Sequence, residues 1–438
     1  MDSEKLKTSV YIGTIQLSNH ASLIWSGLTG YIGVVSPNIA RMIINESFDT
    51  IPNKYLVTLI KNGVLVKENI NENQLLKEIV LADALQQKRK SAPNMTIFLS
   101  YQCNCKCIYC YQKNKNIPAF IDKVTIDKSI NYAKLNYKDN RLLKIHLFGG
   151  EPLLDIDLLH YIVKAFEKAK NECNWDKILY EITTNGTLWS KNIERIFSKE
   201  NLYKVQVSFD GLRNNHNLLR PLSRDGKSSF DILWNNLTEI SDRTQKLICR
   251  LNVCEENKED IIPLAQRIIN LLGSSNLDIY LSHLRFENTK EFNTISGHEY
   301  SNILYDFFSW YYSEFLRAHP FLVPKKRYLS CYAAFRIPKW ISTNGELFQC
   351  QHQAELGVPQ TINLDSFLEN PQHSIDFQTF DDFLSLDNIM LDKCIGCKYY
   401  TFCGGICPAG ILSNDIENPS CDTWEMRLSL YGEQVLLK

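Results

Sequence analysis

Three cysteines carry the first candidate chemistry. In the run Ser100-Tyr101-Gln102-Cys103-Asn104-Cys105-Lys106-Cys107-Ile108-Tyr109-Cys110-Tyr111, residues Cys103, Cys107 and Cys110 form the pattern Cys-x-x-x-Cys-x-x-Cys. Thiolates at that spacing can converge on one metal centre from a single loop, and three protein ligands leave a fourth position for a substrate or cofactor. A zinc site or a reactive thiol cluster is the other chemistry open to such a loop. A second field closes the chain, with Cys331, Cys350, Cys394, Cys397, Cys403, Cys407 and Cys421. Seven ligands are too many for one cluster, and a zinc ribbon is the competing reading. Of the 14 cysteines, Cys105 belongs to the first loop, while Cys173, Cys249 and Cys254 read as small buried hydrophobes.

The elements around the first loop must place it. A strand over 95–99 leads into it, and the pattern then alternates strand and helix. Strands are expected over 144–148, 178–183, 204–209, 247–253 and 278–284. The intervening helices start with one capped by Thr125 and continue over 158–167 and 192–197. The next carries Phe230, Leu233, Leu237 and Ile240 on one face, and the last, over 260–272, is stopped by Gly273. Six βα repeats imply a parallel sheet, with chemistry at the C-terminal ends of its strands.

The remaining candidate residues fall at those ends. The second strand runs into Gly149-Gly150-Glu151-Pro152, the third into Thr184-Asn185-Gly186 and the fourth into Ser208-Phe209-Asp210-Gly211. Glycines let a backbone approach a ligand closely, and Glu151 can accept hydrogen bonds from an ammonium group. On the fifth strand Arg250 and Asn252 share a face with Ile248. With Ser208, Asp210 and Arg220 within reach, they suit a ligand carboxylate or ribose; alternatively Arg250 pairs with a structural acid such as Asp210.

Residues 91–290 resemble the radical S-adenosylmethionine (SAM) enzymes, on Cys103, Cys107 and Cys110 with an aromatic before the last cysteine, and on the Gly149–Gly150–Glu151–Pro152 turn. The resemblance implies a partial (β/α)6 TIM-like barrel, a [4Fe-4S] cluster on the three cysteines and SAM on its open iron. It also implies that the glycine turn holds the SAM amine and that Tyr109 lies against adenine. The C-terminal cysteines, with Gly345 five residues before Cys350, resemble the SPASM extension of this family, which holds two auxiliary [4Fe-4S] clusters. By resemblance Cys331, Cys350 and Cys407 hold the first, leaving an open iron, and Cys394, Cys397, Cys403 and Cys421 hold the second. Anaerobic sulfatase maturases carry an aspartate base where this chain has Gln351, which puts their chemistry in doubt. The three-cysteine set is similar to that of thioether-forming maturases of ribosomally made peptides. Carbon–carbon crosslinking is the neighbouring outcome, and a noncatalytic electron-transfer protein is the rival from another class.

Composition limits the partners. The chain has 438 residues, enough for two or three domains, and 48 basic against 49 acidic residues give a formal net charge of -1. No global field recruits nucleic acid or an anionic membrane. No targeting segment or membrane span is evident, so a cytoplasmic location is expected. Three domains are expected: a small α+β module over 1–90, the radical SAM core over 91–325 and a loop-rich iron–sulfur domain over 326–438. In the first, strands over 10–17, 22–25 and 31–35 precede helices over 38–45, 54–62 and 73–88, which suits either a scaffold extension or a module that docks a leader peptide. The aromatic helix over 301–316 reads as a packing surface. The expected partners are a precursor peptide and an electron donor of the flavodoxin or ferredoxin type.

Overall fold

The computed structural model describes residues 5–90, 93–110, 112, 120–223, 227–284, 294–328, 339–349, 351, 363–370, 394–405 and 420–436. Cys331, Cys350 and Cys407 lie outside the described residues, as does the side chain of Cys421. The fold divides into two units, one of residues 1–91, 296–336 and 377–438, the other of residues 92–295 and 337–376.

In the first unit, β1 (Leu6–Thr8) pairs antiparallel with β5 (Leu65–Lys67). Both are three residues long, too short to show a period in the sequence. Between them β2 (Ile12–Gln16), β3 (Ser22–Ser26) and β4 (Ile32–Val35) form an antiparallel sheet in the order β2-β3-β4. Every residue of β3 is buried. The helix Pro37–Ile44 follows, with Pro37 supplying a preset φ and the Ser36 side chain accepting from Ile39 N. Helices Asn53–Lys61 and Glu72–Lys90 complete the N-terminal part. The aromatic helix Gly297–Phe315 packs against helix Ser420–Tyr431. Its Phe307, Phe308 and Tyr311 surround the buried His319 with ring centroids 4.6–5.4 Å away, a packing role.

The second unit is built on eight strands. β6 (Asn94–Ser100), β7 (Leu142–Gly149), β8 (Lys177–Thr184), β9 (Leu202–Phe209), β10 (Lys246–Val253) and β11 (Leu277–His283) run parallel in sequence order. β12 (Trp340–Ile341) adds parallel to β6, and β13 (Leu347–Phe348) pairs antiparallel with β12. The sheet order is therefore β11-β10-β9-β8-β7-β6-β12-β13, the parallel α/β sheet of a partial TIM-like barrel.

Alternation along the strands separates its two faces. Val205, Val207 and Phe209 are buried, and Phe209 meets Phe230 and Trp234 of helix Ser229–Arg243. The other face carries polar pairs: His146 with Thr183 at 2.9 Å, Tyr280 with Gln206 at 3.4 Å and Arg250 with Ser282 at 2.8 Å. Helix Lys123–Tyr137 starts two residues before Thr125, because the Asp122 carboxylate accepts from Thr125 N at 2.7 Å. Asp122 is the cap, and Thr125 occupies the third helical position.

Candidate functional site

The cysteine loop leaves the end of β6 and is hydrogen-bonded to its neighbours on both sides. On one side Gly150 N donates to Ser100 O at 2.6 Å and Glu151 N to Gln102 O at 2.9 Å. On the other, Lys106 N donates to Pro221 O at 2.7 Å, Ile108 N to Leu219 O at 3.0 Å and Ser223 N to Asn104 O at 2.7 Å. The glycines are needed for the first seam. A Cβ on Gly150 would stand 2.2 Å from Gln102 O, and one on Gly149, whose φ is 144°, would stand 2.3 Å from Ser100 O. The close approach they permit in this structure is to the cysteine loop itself.

Glu151 ties the ends of β7 and β8 together. Its fully buried carboxylate accepts from Leu153 N at 3.0 Å, Thr184 Oγ1 at 2.7 Å and Asn185 N at 2.7 Å. Burial nevertheless pushes its pKa up to about 7, the proximity of Cys103 adding to the rise. Pro152 opens the short turn Pro152–Leu154 that Glu151 caps. Asn185 reaches back to the loop, donating to Asn104 Oδ1 at 2.8 Å and lying 3.6 Å from Cys103 Sγ. Asn104 in turn donates to Thr187 Oγ1 at 2.8 Å. Asn104 and Thr187 join the site without a motif of their own in the sequence; their places next to Cys103 and Asn185 are the available signal.

At the end of β9, Asp210 anchors the far side of the loop. The Tyr109 hydroxyl donates to Asp210 Oδ2 at 2.6 Å, Arg220 Nε donates to the same oxygen at 3.0 Å and Asn252 Nδ2 donates to Oδ1 at 2.7 Å. Arg220 Nη2 also donates to the Tyr109 hydroxyl at 2.6 Å. Burial favours the neutral carboxyl, but Arg220, then His216 and the hydrogen bonds from Tyr109 and Asn252, outweigh it and hold Asp210 below its usual range. Burial likewise opposes the charge on Arg220, and Asp210 more than offsets it. The buried ion pair therefore belongs to Arg220, and Arg250 stands outside it. Arg250 lies beside Ser208 in the strand register, donates to Ser282 Oγ and, among the described residues, leaves its buried Nε without a partner. Asn252, on the same face, is the one that joins Asp210.

The three signature cysteines lie on this clamped loop, Cys107 buried and Cys103 and Cys110 half-buried. The Cys103 thiol is lowered to about 6, first by the hydrogen bond from the Cys105 side chain, against burial, with the Cys105 backbone, Arg220 and Asn185 assisting. Burial pushes Cys107 up to about 12. Among the described residues no three His, Cys, Asp or Glu side chains converge on a single-ion position. A cubane does not require that, because each thiolate binds a different iron at its own corner. The donor set, three thiols on one backbone-clamped loop with a cation and an amide beside them, fits such a cluster. Further along the chain, Cys394, Cys397 and Cys403 share one short segment of the first unit.

Comparison with known proteins agrees with this geometry. Residues 97–268 match the Radical SAM superfamily. The radical SAM cyclopropyl synthase TigE of Paramaledivibacter caminithermalis is 24% identical over 267 residues, covering 52% of this chain and 53% of that protein. The chain spans between 46% and 61% of the length of the first curated relatives it matches. Among solved structures, native anSMEcpe with bound AdoMet and Kp18Cys peptide superposes with a TM-score of 0.63 at 17% identity, over 78% of this chain and 98% of that one. Streptococcus suis SuiB bound to precursor peptide SuiA gives a TM-score of 0.53 at 17% identity, over 93% and 97%. At such identities the structural likeness speaks for the fold alone, and the sequence match identifies residues 97–268 of this chain as a radical SAM domain.

Proposed function

We propose that this chain is a radical SAM peptide maturase that forms an intrapeptide crosslink, a thioether, in a ribosomally made precursor. The observation that carries the reading is the meeting of four strand ends on one loop: β6 supplies Cys103, Cys107 and Cys110, β7 the glycine turn, β8 Asn185 and β9 Asp210. With a [4Fe-4S] cluster and SAM bound, reductive cleavage of SAM supplies a 5'-deoxyadenosyl radical that takes a hydrogen atom from a peptide carbon. The chain's own contribution is placement. Cys103, Cys107 and Cys110 would hold the cluster, and the turn from Gly149 to Pro152 would hold the SAM amine. Tyr109, fixed through its hydroxyl, would lie against adenine. Ser208 and Arg250 suit the SAM carboxylate or ribose, since the unpartnered Arg250 Nε has capacity for an acceptor. Asp210, Arg220 and Asn252 serve by holding Tyr109.

A peptide substrate is supported by the two peptide-bound structural neighbours. A cavity of about 490 Å³, lined by Tyr31, Val34, Val35, Ile39 and Tyr55 among others, lies beside β4 in the N-terminal part. The thioether rests on the three-cysteine set Cys331, Cys350 and Cys407, whose open iron would take a substrate thiolate. The second auxiliary cluster would sit on Cys394, Cys397, Cys403 and Cys421. A flavodoxin or ferredoxin type donor would provide the electron that cleaves SAM, and an auxiliary cluster would accept the one left over after bond formation.

Anaerobic incubation with a cysteine- or aromatic-rich precursor peptide, sought among short reading frames beside this gene, followed by mass spectrometry, tests the reading. The expected product has lost two hydrogens and one alkylatable thiol. Loss of two hydrogens with all thiols still alkylated indicates a carbon–carbon crosslink instead. A mass unchanged in ordinary water, with deuterium taken up when the solvent is heavy water, indicates epimerisation and contradicts the crosslink. Conversion of a sulfatase-derived peptide to formylglycine would show that Gln351 does not exclude that chemistry.

A further inference from the structure

The segment bearing Cys394, Cys397 and Cys403 is gripped by residues between Tyr11 and Leu28. Gly27 is pressed against it so closely that a Cβ there would stand 2.6 Å from Cys397 O and 2.7 Å from Lys398 O. Beside it Trp25 Nε1 donates to Lys398 O at 2.9 Å, and the Trp25 ring stacks on Tyr399 at 5.8 Å between centroids and 16° between planes. The Thr401 hydroxyl donates to Ser26 O at 3.3 Å. From the other direction Tyr11, fully buried, packs in one core with Cys394 and Tyr400, and the half-buried Cys397 packs against that core. Its hydroxyl donates to Asn73 Oδ1 at 2.7 Å. Leu23 and Trp25 share a second core with Phe402 and Trp424.

Such contacts surround a Cys-x-x-Cys turn whose Gly396 has a φ of 70°, and whose next cysteine is followed by Gly404 at 77° and Gly405 at 80°. A turn of this kind has few apolar contacts within itself. Its conformation is imposed by the Tyr11 side on one flank and the Trp25–Gly27 side on the other, and the carbonyls of residues 397 and 398 are the atoms most directly held. The cysteine chemistry fits an iron–sulfur cluster, with Cys421 the fourth thiol by resemblance.

We propose that Tyr11, Trp25 and Gly27 are positioning residues of the auxiliary cluster bound by Cys394, Cys397 and Cys403, so that the N-terminal module is a structural part of that metal centre. The proposal rests on the auxiliary-cluster reading given above. The relation is reciprocal. The cluster cross-links the turn that Trp25 and Gly27 clasp, and its loss releases the Trp25–Gly30 stretch.

The test uses the full chain, anaerobically reconstituted, with three readouts: iron content, electron paramagnetic resonance of the reduced protein with and without SAM, and amide hydrogen exchange. Gly27→Val should lose about four of about twelve irons together with one reduced-cluster signal, while the signal that responds to SAM persists. Trp25→Phe retains the stack and loses only the donor to Lys398 O; it should keep its iron and shift the potential or line shape of the same signal. Cys394→Ala with Cys397→Ala should accelerate exchange at residues 25–30 at least tenfold and leave the strands from β6 to β11 unchanged. Full iron and unaltered spectra in both Gly27→Val and Trp25→Phe, with unchanged exchange in the double cysteine variant, would overturn the proposal. A wild-type protein that binds only about four irons would instead overturn the auxiliary-cluster reading beneath it. A general folding failure of Gly27→Val would show as loss of the SAM-responsive signal as well, and Trp25→Phe then decides.

Discussion

Tyr109 illustrates how much of this site is settled by single atoms. It lies one residue before Cys110, and its hydroxyl is bonded to Asp210, Arg220 and Asn252, which come from three later parts of the chain. The ion pair beneath it is buried, with Asp210 fully inaccessible. Breaking such a pair by removing one charge leaves the other uncompensated. Asp210→Asn is therefore expected to lower stability by about 3–5 kcal/mol, measured as a fall in the denaturant midpoint. Glu151 gives a different signature. Its folded pKa of about 7 lies above its unfolded value of 4.5, so the folded chain binds the extra proton between those values. Stability contributed by that proton is complete below pH 4.5 and is lost as pH rises to about 7; the metal-free chain should lose up to roughly 3 kcal/mol across the window. Glu151→Gln should flatten that slope in denaturation curves collected across the pH range, and an unchanged slope would contradict the assignment.

At the scale of elements, two glycines separate a crowded position from an open one. Gly150→Ala must displace the Gln102 carbonyl and with it the cysteine loop. SAM cleavage should fall about 100-fold or more while the far-ultraviolet circular dichroism spectrum is unchanged. Gly273 ends helix Ile261–Leu272 at a φ of 71° with nothing within 4 Å of an added Cβ. Gly273→Ala should cost only about 1–2 kcal/mol and leave SAM cleavage unaffected. The six parallel strands and the longer helices between residues 94 and 283 were legible because their apolar periods are long and regular. Their ends were less so. Asp122 rather than Thr125 caps its helix, because either side chain can serve as a cap and only the backbone position decides. The glycine turn was legible as a motif, but its contact with the cysteine loop spans some fifty residues, and periodicity carries no such information. Arg250 was the visible candidate for Asp210, and Arg220 was visible only as a contact of the ligand. The choice depended on helix Arg213–Leu219, a short element that brings Arg220 back over the end of β9.

For the whole molecule, chain order and spatial grouping differ. Residues 340–348 return to extend the sheet that begins at β6, while the first 91 residues gather with 377–438. Three-residue strands and single aromatic contacts such as Trp25 with Tyr399 leave no periodic trace, so the partnership between the first strands and the Cys394–Cys403 segment was not legible. Among the described residues no helix is long and apolar enough to cross a membrane. The cluster complement sets a further expectation at this scale: about twelve irons per chain after anaerobic reconstitution, against about four if the C-terminal cysteines bind none. The measurement that bears most directly on the account is release of 5'-deoxyadenosine from SAM by the reduced, reconstituted chain. The wild-type protein should form it, and the combined Cys103→Ala, Cys107→Ala and Cys110→Ala variant should form none. Cleavage that survives in that variant would contradict the assignment of the radical chemistry to this loop.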